Sequence, residues 1–179
     1  MRRIVALSML LAALSFGSLV YAQGPKAGPP DRATIMTAVK NVIQKAGYAV
    51  LITNGEDGQP HARVLDGFPP EGDMTVWFGT HQNSRKVKEI EKDARATVFY
   101  FSPELEGYVA LLGKAALVND PQEKEKRWKK EWAMFYKNAN KGEDYVLIKF
   151  TPSQLEMTCY SAGLPDNQET GLPIILDLP

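Results

Sequence analysis

Five side chains of the 179-residue sequence could hold an anion, and four of them fall within seven positions. Thr80, Ser84, Arg85 and Lys86 stand in TVWFGTHQNSRKVKEIEKD, residues 75–93. Val76, Trp77 and Phe78 begin this stretch as a buried strand, and Val87 and Ile90 end it as one face of an amphipathic helix. Hydroxyls and cations are thus gathered where a strand hands over to a helix. A helix N-terminus leaves backbone N–H groups unpaired and favours negative charge. Two hydroxyls and two cations added there describe a phosphate site. The plainer alternative is that Ser84 caps the helix while Arg85, Lys86 and Lys88 form a solvated face. Cations at a helix start oppose the macrodipole, which weighs against that alternative. Arg63 is the fifth residue. It lies in HARVLDGF, an extended segment, between Ala62 and Val64. It either faces solvent or reaches a partner; a hairpin setting its strand beside MTVWFGT would bring it to the same anion.

The elements that must carry these residues follow from periodicity. Asp31 caps a helix in which Ile35, Met36, Val39, Val42, Ile43 and Ala46 recur at three- and four-residue steps, and Gly47 ends it. YAVLITN, HARVLDGF and MTVWFGT read as three strands joined by Gly- and Pro-rich turns. The helix 84–93 comes next, then the strands ARATVFYFS and YVALLGKAALVN. A helix from Pro121 to about Lys141-Gly142 carries Trp128, Trp132, Phe135 and Tyr136. EDYVLIKFTPSQLEMTCYS is the last long strand, bent or broken at Pro152. Short turns between consecutive strands imply an antiparallel sheet, and six long apolar strands imply closure into a barrel, which removes edges. An open antiparallel sheet with helices on one face is the other solution.

The chain begins with Arg2-Arg3, an apolar run from Ile4 to Leu14, and Val20-Tyr21-Ala22. That layout is a secretory signal peptide, residues 1–22, followed by a Pro- and Gly-rich spacer, residues 23–30. The expected protein is therefore exported, periplasmic or secreted, with no stable membrane span after cleavage. Of the remaining 157 residues, those after the spacer form one domain over 31–162 and a tail over 163–179. Losing two arginines takes the net charge from 0 to −2, so nucleic acid is not an expected partner. Cys159 is the single cysteine and reads as a small core residue. His61 and His81 have no Cys, His or carboxylate at ligand spacing, and no metal site is assigned. The aromatics from Trp128 to Tyr136 read as core or dimer packing, or as a lid over an apolar pocket.

Taken in order, GQPHARVL, VWFGTHQNSRKVKEI, ATVFYFS and YVALLGKAALV resemble the pyridoxamine 5′-phosphate oxidase-like, FMN-binding split-barrel family, in its general-stress-protein branch. The resemblance covers roughly residues 31–160. It implies a mainly β, α+β fold: a six-stranded antiparallel split barrel with flanking helices. It implies a homodimer with FMN in clefts between the subunits. It implies roles for Arg63, Thr80, Ser84, Arg85 and Lys86 at the FMN phosphate, for Val64 and Leu65 through their backbone beside the isoalloxazine ring, and for Tyr108 where relatives place a flavin-contacting glutamine. The substrate half departs from the family. Phe68 stands where the vitamin-making oxidases have a phosphate-binding lysine, and the C-terminal Arg-x-His segment is absent. Two functions remain: an exported FMN-dependent oxidoreductase acting on a small molecule other than pyridoxamine phosphate, or a non-catalytic module carrying flavin or haem. His81 is the only axial ligand the sequence offers a haem.

Overall fold

The computed structural model describes residues 30–137 and 142–179. The expected signal peptide and nearly all of the spacer lie outside the described residues. The helix α1, Arg32–Ala46, starts and stops as its sequence predicts. Asp31 accepts a hydrogen bond from the Thr34 N–H at 2.8 Å, and Gly47 takes φ 72° at the other end, where a Cβ would be strained. Ile35, Val39, Val42 and Ile43 point into the core.

The strands are β1 (Ala49–Asn54), β2 (Pro60–Leu65), β3 (Val76–His81), β4 (Arg95–Ser102), β5 (Gly107–Val118), β6 (Tyr145–Cys159) and β7 (Ile174–Asp177). The helix α2, Arg85–Lys92, sits between β3 and β4. All pairings are antiparallel, in the order β2-β1-β4-β5-β6-β3, with β7 added to β6. The six expected strands are present in chain order, and the tail supplies a seventh. Its apolar side packs on the core through Ile174, Leu176 and Leu178.

One expected neighbour is wrong. β2 does not lie beside β3 as a hairpin partner. It pairs along its length with β1, from Ala49↔Leu65 to Asn54↔Pro60, while β3 pairs with β6. β2 and β3 are therefore the two ends of the sheet. They meet through an isolated bridge, Gly67↔Phe78, and the Phe68 N–H donates to the Trp77 carbonyl at 2.9 Å. The sheet curls until its ends touch at that point, and over 60–65 the outer edge of β2 has no strand partner among the described residues. This opening is the split of the barrel.

The long strand β6 bends without breaking. The β5–β6 register shifts between Leu112 and Gly113, opposite Pro152. A Cβ on Gly113 would run into the Thr151 carbonyl and Pro152, so glycine permits the close approach that a bulge at a proline requires.

The aromatic segment does not form one helix. The α-helix α3 covers only Pro121–Lys126, and a 3₁₀ helix follows over Lys130–Met134. Trp128 and Tyr136 meet Tyr145 edge-on and Trp132 meets it tilted, with ring centroids 4.9–6.1 Å apart. The Arg127 guanidinium lies 3.7 Å from the centre of the Trp77 ring. Burying these groups against β3 and β6 outweighs one turn of helix propensity. Gly79 leaves room for it, because a Cβ there would strike Trp132 and Tyr145. The stripe thus packs on its own barrel. Of the expected aromatics only Phe135, 66% exposed, faces outward.

Candidate functional site

The anion-site residues meet at the open end of the split. Thr80 ends the buried part of β3 and is itself buried. Its hydroxyl oxygen accepts from the Lys86 ammonium at 2.9 Å and lies 3.4 Å from the Ser84 hydroxyl. Ser84 occupies the N-cap position of α2, yet its side chain makes no capping hydrogen bond. The capping alternative therefore fails for the hydroxyl, which turns to Thr80. No carboxylate lies within ion-pair distance of Lys86 among the described residues. Burial pushes the Lys86 ammonium pKa down, and Arg63 and Arg85 push it the same way, with Glu89 opposing. A half-buried cation beside two others is the electrostatic condition in which an arriving anion is favoured.

Arg63 reaches this place from β2, facing inward and mostly buried. The outward-facing alternative is excluded. Its guanidinium donates to the Thr53 hydroxyl at 2.6 Å, to the Leu51 carbonyl at 3.2 Å and to the Glu89 carboxylate at 2.8 Å. Five N–H donors are available on an arginine, so two remain. Arg85 is largely exposed, with its Nε 3.2 Å from Glu89.

Glu89 is the member of this cluster that the sequence reading missed. It is 3% exposed and accepts from Thr53 at 2.5 Å and from Arg63. The His61 Nδ1 also lies 2.5 Å from it. Burial alone would raise its pKa, but the bonds from Thr53, His61 and Arg63 outweigh that and hold it below the ordinary value. His61 is accordingly no surface residue; it leans into the same network. A signal was present: Glu89 is four residues after Arg85 and sits between the core positions Val87 and Ile90, so it shares their buried side.

The remaining candidates divide. Leu65 faces the core and Val64, 65% exposed, faces outward. In the antiparallel β1–β2 pair alternate residues turn their N–H and C=O to the partner, so Leu65 bonds toward Ala49 while the backbone groups of Val64 face the outer edge of β2, which has no strand partner among the described residues. Tyr108 is elsewhere. It stacks on Phe99 with centroids 5.5 Å apart, near the β4–β5 turn. Gly113, opposite Ala96, marks the α2 end of β5, and five residues separate it from Tyr108, about 17 Å at the usual strand rise. Within one chain Tyr108 does not join the cluster. His81 is exposed and accepts from the Asn83 N–H through Nδ1 at 3.2 Å. Phe68 packs edge-on against Trp132 at 5.7 Å. The nearby Lys129 ammonium is tied to Asp66 at 2.7 Å and to the Gly67 carbonyl at 3.1 Å. Among the described residues no group of three or more His, Cys, Asp or Glu side chains is placed to hold a metal ion.

The family model described as pyridoxamine 5′-phosphate oxidase like matches residues 35–158. The chain belongs to this family. Among curated proteins, pyridoxine/pyridoxamine 5′-phosphate oxidase 1 of Hydrogenovibrio crunogenus is 34% identical over 79 residues, which are 43% of this chain and 35% of that protein. The match thus spans about a third of that relative. Solved structures share the family fold. General stress protein 26 of Bacillus anthracis superposes with a TM-score of 0.63 at 23% identity, over 80% of this chain and 98% of the other. A Clostridium acetobutylicum protein related to general stress protein 26 gives 0.67 at 17% identity, over 83% and 96%. A pyridoxamine 5′-phosphate oxidase-related, FMN-binding protein of Nostoc punctiforme gives 0.56 at 17% identity, over 86% and 98%. Family membership and these neighbours support the split-barrel fold.

Proposed function

We propose that this chain binds FMN and acts as an exported flavin-dependent oxidoreductase on a small molecule other than pyridoxamine phosphate. The observation that carries the reading is Lys86: half-buried, bonded to Thr80, without a carboxylate partner, and flanked by Arg63 and Arg85. These residues fit the phosphate of FMN. Arg63 keeps two donors in reserve, Ser84 keeps its hydroxyl, and the start of α2 adds backbone N–H groups. The free edge of β2 at Val64 fits the heteroatoms of a flavin ring. When bound, FMN supplies hydride or electron transfer; the chain's own residues bind, orient and exclude water.

Glu89 positions this machinery. It neutralises part of the charge of Arg63 and fixes its guanidinium toward the cluster, leaving Lys86 and Ser84 for the ligand. Phe68 offers no donor to a substrate phosphate, and the one cation near it, Lys129, is held by Asp66. That is why a doubly charged phosphate substrate is not part of the proposal.

A homodimer is part of it. The outer face of the sheet carries Val64, Val50, Phe99 and Ala110 in one row across four strands, in the registered pairs Val50↔Val64, Val50↔Phe99 and Phe99↔Ala110. Tyr48 and Phe101, 63% and 56% exposed, extend the apolar surface. An apolar sheet face of this kind, exposed at Val64, Tyr48 and Phe101 and half-buried at Val50 and Phe99, suits a second copy of the chain. Such a dimer would also let Tyr108 meet a flavin held mainly by the other subunit.

The test is flavin titration by fluorescence quenching. Lys86→Ala is expected to weaken FMN binding by about 1.5–3 kcal/mol, the scale of a charge-assisted hydrogen bond. Arg63→Ala is expected to do the same but also strips Glu89 of its counter-ion, so Lys86→Ala is the cleaner arm. Unchanged affinity in both variants would sink the assignment.

A further inference from the structure

Between α1 and the loop joining β2 to β3 lies a cavity of about 490 Å³. Small-molecule sites commonly occupy roughly 300–1,000 Å³. Its wall is mostly apolar, with Ile43 from α1, Ala49 from β1, and Phe68 and Met74 from the loop. Neither Arg63 nor Lys86 lines it.

Three observations point to a ligand. Tyr100 enters the wall from β4 with 4% of its surface exposed, and its hydroxyl has no hydrogen-bond partner among the described residues. That hydroxyl opens onto the cavity, where a ligand could accept from it. Burial also pushes the Tyr100 phenol pKa up, so the group stays a donor. The second observation is charge. Of the two charged residues in the wall, Glu71 accepts from Arg127 at 2.6 Å, whereas Lys40 has no ion-pair partner among the described residues. The third is the backbone of Met74, which takes φ 66° although it is not glycine. Its side chain, 3% exposed, closes the wall. Left-handed backbone at a bulky residue is strained, and such strain recurs where ligands are clamped.

We infer that this cavity binds a small apolar acid, with a flat or aliphatic body among Ile43, Ala49, Phe68 and Met74 and a carboxylate that accepts from the Tyr100 hydroxyl on one side and faces Lys40 on the other. The site is separate from the phosphate cluster and does not depend on flavin.

Isothermal titration calorimetry on the full chain as purified tests it, with 2-naphthoate as the acid and 2-naphthamide as its neutral counterpart. The expected Kd for 2-naphthoate is on the order of 0.1 mM, a normal yield for so few atoms. Lys40→Gln is expected to weaken 2-naphthoate about three- to fivefold, the scale of an exposed ion pair, and to leave 2-naphthamide unchanged. Tyr100→Phe is expected to weaken both about fivefold, as for one hydrogen bond. Ile43→Trp fills the space and is expected to abolish both; circular dichroism checks that it folds, and the other two variants decide without it. No saturable heat with either compound, or equal affinity for 2-naphthoate in wild type, Lys40→Gln and Tyr100→Phe, would overturn the inference.

Discussion

Replacing Glu89 by Gln isolates the buried charge that organises the site. The amide keeps the shape and can still accept from Thr53, but it no longer attracts the two guanidinium groups. Arg63 is only 16% exposed at its side chain, and its bond to Glu89 is 2.8 Å. A charge-assisted bond of this kind contributes about 1.5–3 kcal/mol. Arg85 is 67% exposed, so solvent screening limits its share to less than about 1 kcal/mol. The expected loss at neutral pH is therefore about 3 kcal/mol, at the low end of what removing one partner of a buried pair costs. For a domain of this size that corresponds to a fall in Tm of about 6–12 °C. The pH dependence has a definite sign. The folded Glu89 carboxyl titrates below its ordinary value of 4.5, so its contribution is fully present above about pH 4.5. It is lost as the pH falls through the folded value. The wild type loses this term in acid and Glu89→Gln has none to lose, so their difference shrinks below pH 4.5. Urea unfolding of both proteins at pH 7 and near pH 3.5 measures it. A difference under about 0.5 kcal/mol at pH 7, or one that grows in acid, would refute the reasoning.

Two further outcomes are expected. The chain should sediment as a dimer at micromolar concentration, and Val64→Asp, which puts a charge in the apolar row on the outer sheet face, should shift it to monomer; a wild-type monomer with flavin bound would remove the shared cleft. FMN-loaded protein should not be reduced by pyridoxamine phosphate under anaerobic conditions, because Phe68 offers no donor to the phosphate; rapid reduction saturating at micromolar substrate would return the chain to vitamin oxidation.

Much of this was legible in the sequence, for physical reasons. Caps and periodicity fixed α1, since Asp31, the apolar steps and Gly47 all agree. The order of the six long strands followed from apolar runs broken by Gly and Pro, and Thr80, Ser84 and Lys86 met because they are close along the chain. What depended on distant contacts was harder. The β1–β2 hairpin followed from the turn-rich NGEDGQP between two extended segments; that β3 lies at the far end of the sheet from β2 is a matter of closure, and local pattern carries no record of it. The helix expected through Trp128–Tyr136 has sound local propensity, but packing around Tyr145 and the Arg127–Trp77 contact override it. Glu89 looked like one more charge in a charged helix. Only the register of α2 against β1 and β2 turns it inward to Thr53 and Arg63.

The central claim is that the Arg63, Thr80, Ser84 and Lys86 cluster holds the phosphate of a flavin, and riboflavin lacks only that phosphate. Titrating the same protein with FMN and riboflavin, at fixed ionic strength, compares the two directly. FMN should bind more tightly by about 3 kcal/mol or more, roughly 100-fold, since at least two charge-assisted bonds distinguish the ligands. Lys86→Ala should narrow that gap and leave riboflavin affinity unchanged. Equal affinity for FMN and riboflavin in the wild type would contradict the account.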